Sequence, residues 1–217
     1  VMCKEKVLTI FYDPPYDSPI EDHFAKFAAK YFSQEIKMDS QVVVETICGK
    51  FRLDFVVTDA KGRKTVIECD GKEFHEGSRD EWRDAMILGS TDIDEIYRIR
   101  GSEINFRIED VFYILSVWSP WLFDARQVYN MRCIATQELT QRSVSPTDTI
   151  FSVNYVDSDN QMNCFYIEKR HKNIPKGKRQ FWQSAFTYAQ HEGSENLDDL
   201  IAKFRLQNWP SDQQNHS

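Results

Sequence analysis

Leu53-Asp54-Phe55-Val56-Val57, a turn, and then Thr65-Val66-Ile67-Glu68-Cys69-Asp70-Gly71-Lys72 form the stretch that decides the fold. Both runs are apolar and rich in β-branched residues, and the Asp59-Ala60-Lys61-Gly62-Arg63 segment between them carries hairpin chemistry. Yet an Asp sits inside the first run, and a Glu and an Asp sit two apart in the second. Acids are poor strand residues, and a half-buried carboxylate costs free energy unless it is paired or binds a cation. Residues two apart in a strand share a face, so Glu68 and Asp70 point the same way and Asp54 comes beside them on the neighbouring strand. Oxygen ligands gathered like this suit Mg2+, which prefers carboxylates and keeps several waters. Salt-bridged edge residues would give the same spacing.

Working outward, Ser18, Pro19 and Glu21 open a helix over 18–33, with an S-x-x-E capping box and Pro at the first helical position. Ile20, Phe24, Phe27, Ala28 and Tyr31 give it an apolar stripe. Strands are expected at 41–48, 51–58 and 64–70. Ser78 with Glu81 marks a second capping box, and Trp82, Ala85, Met86 and Gly89 share one face of the helix it opens. A strand over 95–100 and a helix over 102–118 follow, closed by Trp118-Ser119-Pro120. The order is α-β-β-β-α-β-α. The predicted organisation is a domain over 1–120, a small α+β accessory unit over 121–209 and a flexible tail over 210–217. In the accessory unit, strands near 149–156 and 162–169 flank a hairpin at 157–160, and helices near 178–191 and 195–207 end it.

Composition narrows the function classes. With 41% hydrophobic and 13% aromatic residues the chain has material for a core, which excludes a disordered tail protein. No apolar run approaches the roughly 20 residues that span a bilayer, and Val1-Met2-Cys3-Lys4-Glu5-Lys6 carries no signal-peptide apolar region. The five cysteines are scattered without a C-x-x-C pair, which reads as free thiols in a reducing, cytoplasmic setting. The net charge of −7 does not announce a nucleic-acid binder. Residues 169–179, however, hold six Lys/Arg and no acid, so the rest of the chain carries −13. Such a segment is either a solvated loop or a track for a phosphate backbone.

The ordered set Asp54, hairpin, Glu68-Cys69-Asp70-Gly71-Lys72-Glu73-Phe74-His75 resembles the PD-(D/E)XK nuclease superfamily. Within it, the likeness is to the very-short-patch-repair-like branch whose signature runs E-x-D-G and then His. Asp80-Glu81-Trp82-Arg83-Asp84 and Ile96-Tyr97-Arg98-Ile99 fall where that branch has D-x-x-R-D and a hydrophobic-Arg strand. The resemblance covers about 18–118 and implies an α/β (α+β) fold: a restriction-endonuclease-like core with a central mixed β-sheet flanked by helices.

It implies a Mg2+-dependent endonuclease acting on DNA, with Mn2+ able to substitute, and with protein partners of a restriction, phage-defence, repair or transposition system or a homodimer. Asp54 and Glu68 would be the principal metal ligands, assisted by the Cys69 carbonyl and by Glu21. The capping box accounts for Glu21 without any chemistry. Asp70 stands where most of the superfamily has Lys, so Lys72 and His75 become candidates to position or activate water. Arg83, Arg98, Lys169, Arg170, Lys172, Lys176, Lys178 and Arg179 are candidate nucleic-acid contacts, with structural ion pairing as the competing role for the two strand and helix arginines. The alternative expectation is a catalytically inactive nuclease fold kept for DNA binding or assembly.

Overall fold

The computed structural model describes residues 12–71, 77–157, 159–172, 181–193 and 196–208. The chain is α+β, with a six-stranded mixed sheet flanked by helices. The elements in order are α1 (Pro19–Tyr31), β1 (Lys37–Thr46), β2 (Gly49–Thr58), β3 (Lys64–Asp70), α2 (Gly77–Ser90) and β4 (Glu95–Arg100). They continue with α3 (Gly101–Phe106), α4 (Ile108–Trp118), α5 (Ala125–Ile134), α6 (Gln137–Thr140), β5 (Ile150–Val156), β6 (Met162–His171), α7 (Phe181–Glu192) and α8 (Leu197–Asn208). No helix among the described residues is long and apolar enough to cross a membrane.

The strands lie in the order β1-β2-β3-β4-β6-β5. β3 runs parallel to β4 and antiparallel to β2, while β6 is antiparallel to both β4 and β5. The parallel β3–β4 pair needs a crossover, which α2 supplies in sequence. The local signals behave as their chemistry requires. Ser18 caps α1, its Oγ accepting the Glu21 N–H at 3.2 Å. Asp59 closes the β2–β3 turn by accepting the Lys61 and Arg63 amides, and Gly62 takes the left-handed φ of 81° that the turn requires.

Two compact units divide the contacts. The first comprises 1–42, 53–74 and 93–172; the second comprises 43–52, 75–92 and 173–217. In the first, Phe24 stacks on Phe112 at 5.3 Å and lies 5.6 Å from Phe55, so α1, α4 and one face of the sheet share a core. That face is lined by Phe55, Val57, Ile67, Cys69, Tyr97, Ile99, Phe165 and Ile167. In the second, Trp82 of α2 packs against Phe181 and Tyr188 of α7 and Phe204 of α8. Gly89 lets the Phe186 ring lie against α2, since a Cβ there would meet the ring at 2.2 Å. The α7 aromatics Trp182, Phe186 and Tyr188 therefore serve a packed cluster.

Two differences from the sequence expectation concern connectivity. The β5–β6 hairpin pairs with β4 along Glu95–Ile99 and extends the main sheet, and the first compact unit runs through residues 93–172. The helix expected over 102–118 is broken at Arg107, which separates α3 from α4. There the Arg107 guanidinium reaches the Thr136 hydroxyl at 2.7 Å and lies over the Tyr155 ring at 4.2 Å. α2 begins at Gly77, one residue before the expected Ser78 cap.

Candidate functional site

The acids singled out by the sequence all lie in the first unit, around the carboxyl end of β3. The β2–β3 ladder pairs Thr58 with Lys64 through Phe55 with Ile67. One step further on, Asp54 turns its Oδ2 to accept the Cys69 amide at 2.8 Å. A side chain thus takes a main-chain donor beyond the last paired position, which anchors the Asp54 carboxylate beside β3.

Glu68 is 5% exposed and registers with Arg98 on parallel β4, as Asp70 does with Arg100. Alternation places Glu68, Asp70, Arg98 and Arg100 on the face opposite the Phe24–Phe112 core. Arg98 donates from Nη1 to Asp70 Oδ1 at 2.9 Å, with only 7% and 17% of the two side chains exposed. Asp70, which occupies the position of an expected lysine, is therefore held by a buried arginine from the next strand.

Glu21 approaches from α1 and is 5% exposed. Its Oε1 accepts from the Ser18 hydroxyl at 2.7 Å and its Oε2 from the Gln41 amide at 2.6 Å. Gln41 holds a left-handed φ of 53°, and its own Oε1 is buried with no hydrogen-bond partner among the described residues. Glu21 is thus both a helix-capping residue and a neighbour of the acid group.

Cys69 lies between Glu68 and Asp70 in sequence, on the opposite, core-facing side of β3. Burial pushes its thiol well above the ordinary value, and the charges of Asp54, Glu21, Glu68 and Asp70 push it further. The sulfur therefore stays a protonated thiol at neutral pH. The donors offered to a cation are accordingly hard oxygens, and this chemistry fits Mg2+ or Mn2+ better than a thiolate-seeking metal. Among the described residues, no group of three or more His, Cys, Asp or Glu is placed to hold a metal ion. Lys72 and His75 lie outside the described residues, as do Lys176, Lys178 and Arg179.

The remaining candidates have varied surroundings. Arg83 donates to the Arg52 carbonyl at 2.7 Å and lies over the Phe51 ring, both within the second unit. Lys169 is 4% exposed, donates to the Pro146 carbonyl at 2.9 Å and sits over Trp118; burial pulls its pKa down. Arg170 pairs with Glu168 at 2.8 Å. Lys172 donates its amide to the Asp94 carbonyl. The sequence reading passed over Gln41 and Arg100. The alternation Arg98-Ile99-Arg100 carried a signal for the second, because it puts two cations on the face of Glu68 and Asp70.

In comparisons with known proteins, no protein-family model, curated protein or solved structure matches the chain.

Proposed function

We propose that the chain is a Mg2+-dependent endonuclease that hydrolyses DNA phosphodiester bonds, with Asp54 and Glu68 as the residues that hold the metal. One observation carries the reading: Asp54, whose Oδ2 accepts the Cys69 amide at 2.8 Å, stands beside the buried Glu68 at the end of the β2–β3 ladder. Folding alone has little reason to bring like charges together in a half-buried place, whereas a cation-binding site requires it. The order of elements and the E-x-D-G signature support the same reading.

In this mechanism the chain's own groups do distinct work. The Cys69 N–H fixes the Asp54 carboxylate in place. Burial strips water from Glu68, which strengthens its pull on a cation. Arg98 holds Asp70 and offsets part of the acid charge on that face. His75 and Lys72 are assigned the proton transfer and the charge at the leaving oxygen. When bound, Mg2+ supplies positive charge to the phosphodiester and acidifies a water.

The test is plasmid cleavage with Mg2+ or Mn2+ by the wild type, Asp54→Ala and Glu68→Ala. Cutting by the wild type and its loss in both variants is the expected result. Metal-dependent cutting that survives both substitutions sinks the assignment.

A second reading, an inactive nuclease fold kept for DNA binding or assembly, is favoured by a different observation. Asp70 is engaged by Arg98, and both Glu21 oxygens accept from Ser18 and Gln41. Retained DNA binding without cleavage of duplex, branched or single-stranded DNA would select it.

A further inference from the structure

Arg100 closes β4 on the face of the acids and is exposed, unlike its neighbour Arg98. It registers with Asp70, and paired positions on adjacent strands lie about 5 Å apart. Its guanidinium lies over the Tyr166 ring, 4.4 Å from the centroid. The β4–β6 register pairs Ile99 with Ile167, so Tyr166 is the next residue across. Tyr166 is itself fixed by its main chain, whose N–H donates to the Glu103 carboxylate at 3.2 Å. Among the described residues, the guanidinium N–H groups of Arg100 meet no hydrogen-bond acceptor.

An arginine stacked on an aromatic face has its plane fixed, while the N–H groups around its edge remain available to an anion in that plane. A phosphate takes two such donors at once, and much of the side-chain entropy of ordering has already been lost. We propose that Arg100, braced by Tyr166, receives a backbone phosphate of the nucleic acid beside the Asp54–Glu68 acids. The inference rests on the nucleic-acid part of the proposed function and does not require turnover. Arg98 then balances charge within the fold, and Arg100 faces the ligand.

The test is fluorescence anisotropy of a short fluorescein-labelled DNA duplex, and of its single strand, titrated with the full chain in EDTA across a salt series. Arg100→Ala should weaken binding about ten-fold and lower the slope of log affinity against log salt by about one unit. Arg100→Lys should recover the slope but only part of the affinity, because a point charge lacks the planar fork. Tyr166→Ala should weaken binding with the slope largely kept. Arg126→Ala, which removes an exposed arginine of α5, should change neither quantity. An unchanged slope in Arg100→Ala overturns the proposal, and so does an equal loss in Arg126→Ala. A wild type that binds neither DNA form overturns it as well. An inactive DNA-binding fold still passes this test, whereas an active nuclease with another phosphate receptor fails it alone, so the two failures are distinguishable.

Discussion

The two ends of β4 carry opposite kinds of polar chemistry. At the amino end, Tyr97 shares its hydroxyl with Ser119 Oγ at 2.6 Å and with Glu95 Oε2 at 3.1 Å. Lys169, registered with Tyr97, reaches the Pro146 carbonyl. Acid, base, hydroxyl and carbonyl meet there in mixed company, as a buried network that serves the fold must. At the carboxyl end, Asp54 accepts the Cys69 amide, Glu68 is buried and Asp70 pairs with Arg98. The amino end mixes hydroxyls with one acid and one base, whereas the carboxyl end sets Asp54, Glu68 and Asp70 beside the arginines Arg98 and Arg100.

Substitutions should separate the two ends. The largest effect belongs to the acids. Asp54→Ala or Glu68→Ala is expected to lower the cleavage rate by about 10²–10³-fold, while Ser119→Ala leaves it within a few-fold; equal losses at both ends would erase the distinction. Next comes Arg98→Met, which removes the buried guanidinium from the Asp70 carboxylate and should cost about 3–5 kcal/mol in urea unfolding. Adding Asp70→Asn to it should return much of that loss. A single and double variant of equal stability would mean that the pair does not hold this end of the sheet.

A smaller effect is expected from Tyr97→Phe at the amino end. Removing one buried hydroxyl while Ser119 keeps its bond to Glu95 should cost about 1 kcal/mol and leave cleavage intact. The smallest concerns pH. Burial, and then the Lys169 charge, hold His171 below its ordinary value of 6.5. As pH falls through that value the unfolded chain takes up the proton first, so native stability declines from there downward. His171→Asn should flatten that acid limb in melts run across pH, and an unchanged limb would remove His171 from the account.

Much of the fold was legible because local chemistry and tertiary packing agree. The Ser18–Glu21 box, the β2–β3 hairpin and β4 stand where caps, turns and alternation put them. The break at Arg107 was not legible, because the apolar period runs on through it. The side chain at the break contacts Thr136 and Tyr155, far along the chain. The docking of β6 on β4 was hidden for a similar reason, since strand pairing between distant segments leaves no local pattern. In the site, alternation was enough to align Glu68 with Asp70. It could not show that Asp70 would meet Arg98, that Gln41 would reach Glu21, or that Arg100 would lie on Tyr166, because each partner comes from another element.

The central claim is that Asp54 and Glu68 form a cation site. Titration calorimetry of Mn2+ into the wild type, Asp54→Asn and Glu68→Gln tests it most directly. The account predicts saturable binding by the wild type that is lost in both variants, with all three proteins folded by circular dichroism. Binding of equal strength in the variants, or none in the wild type, would contradict it.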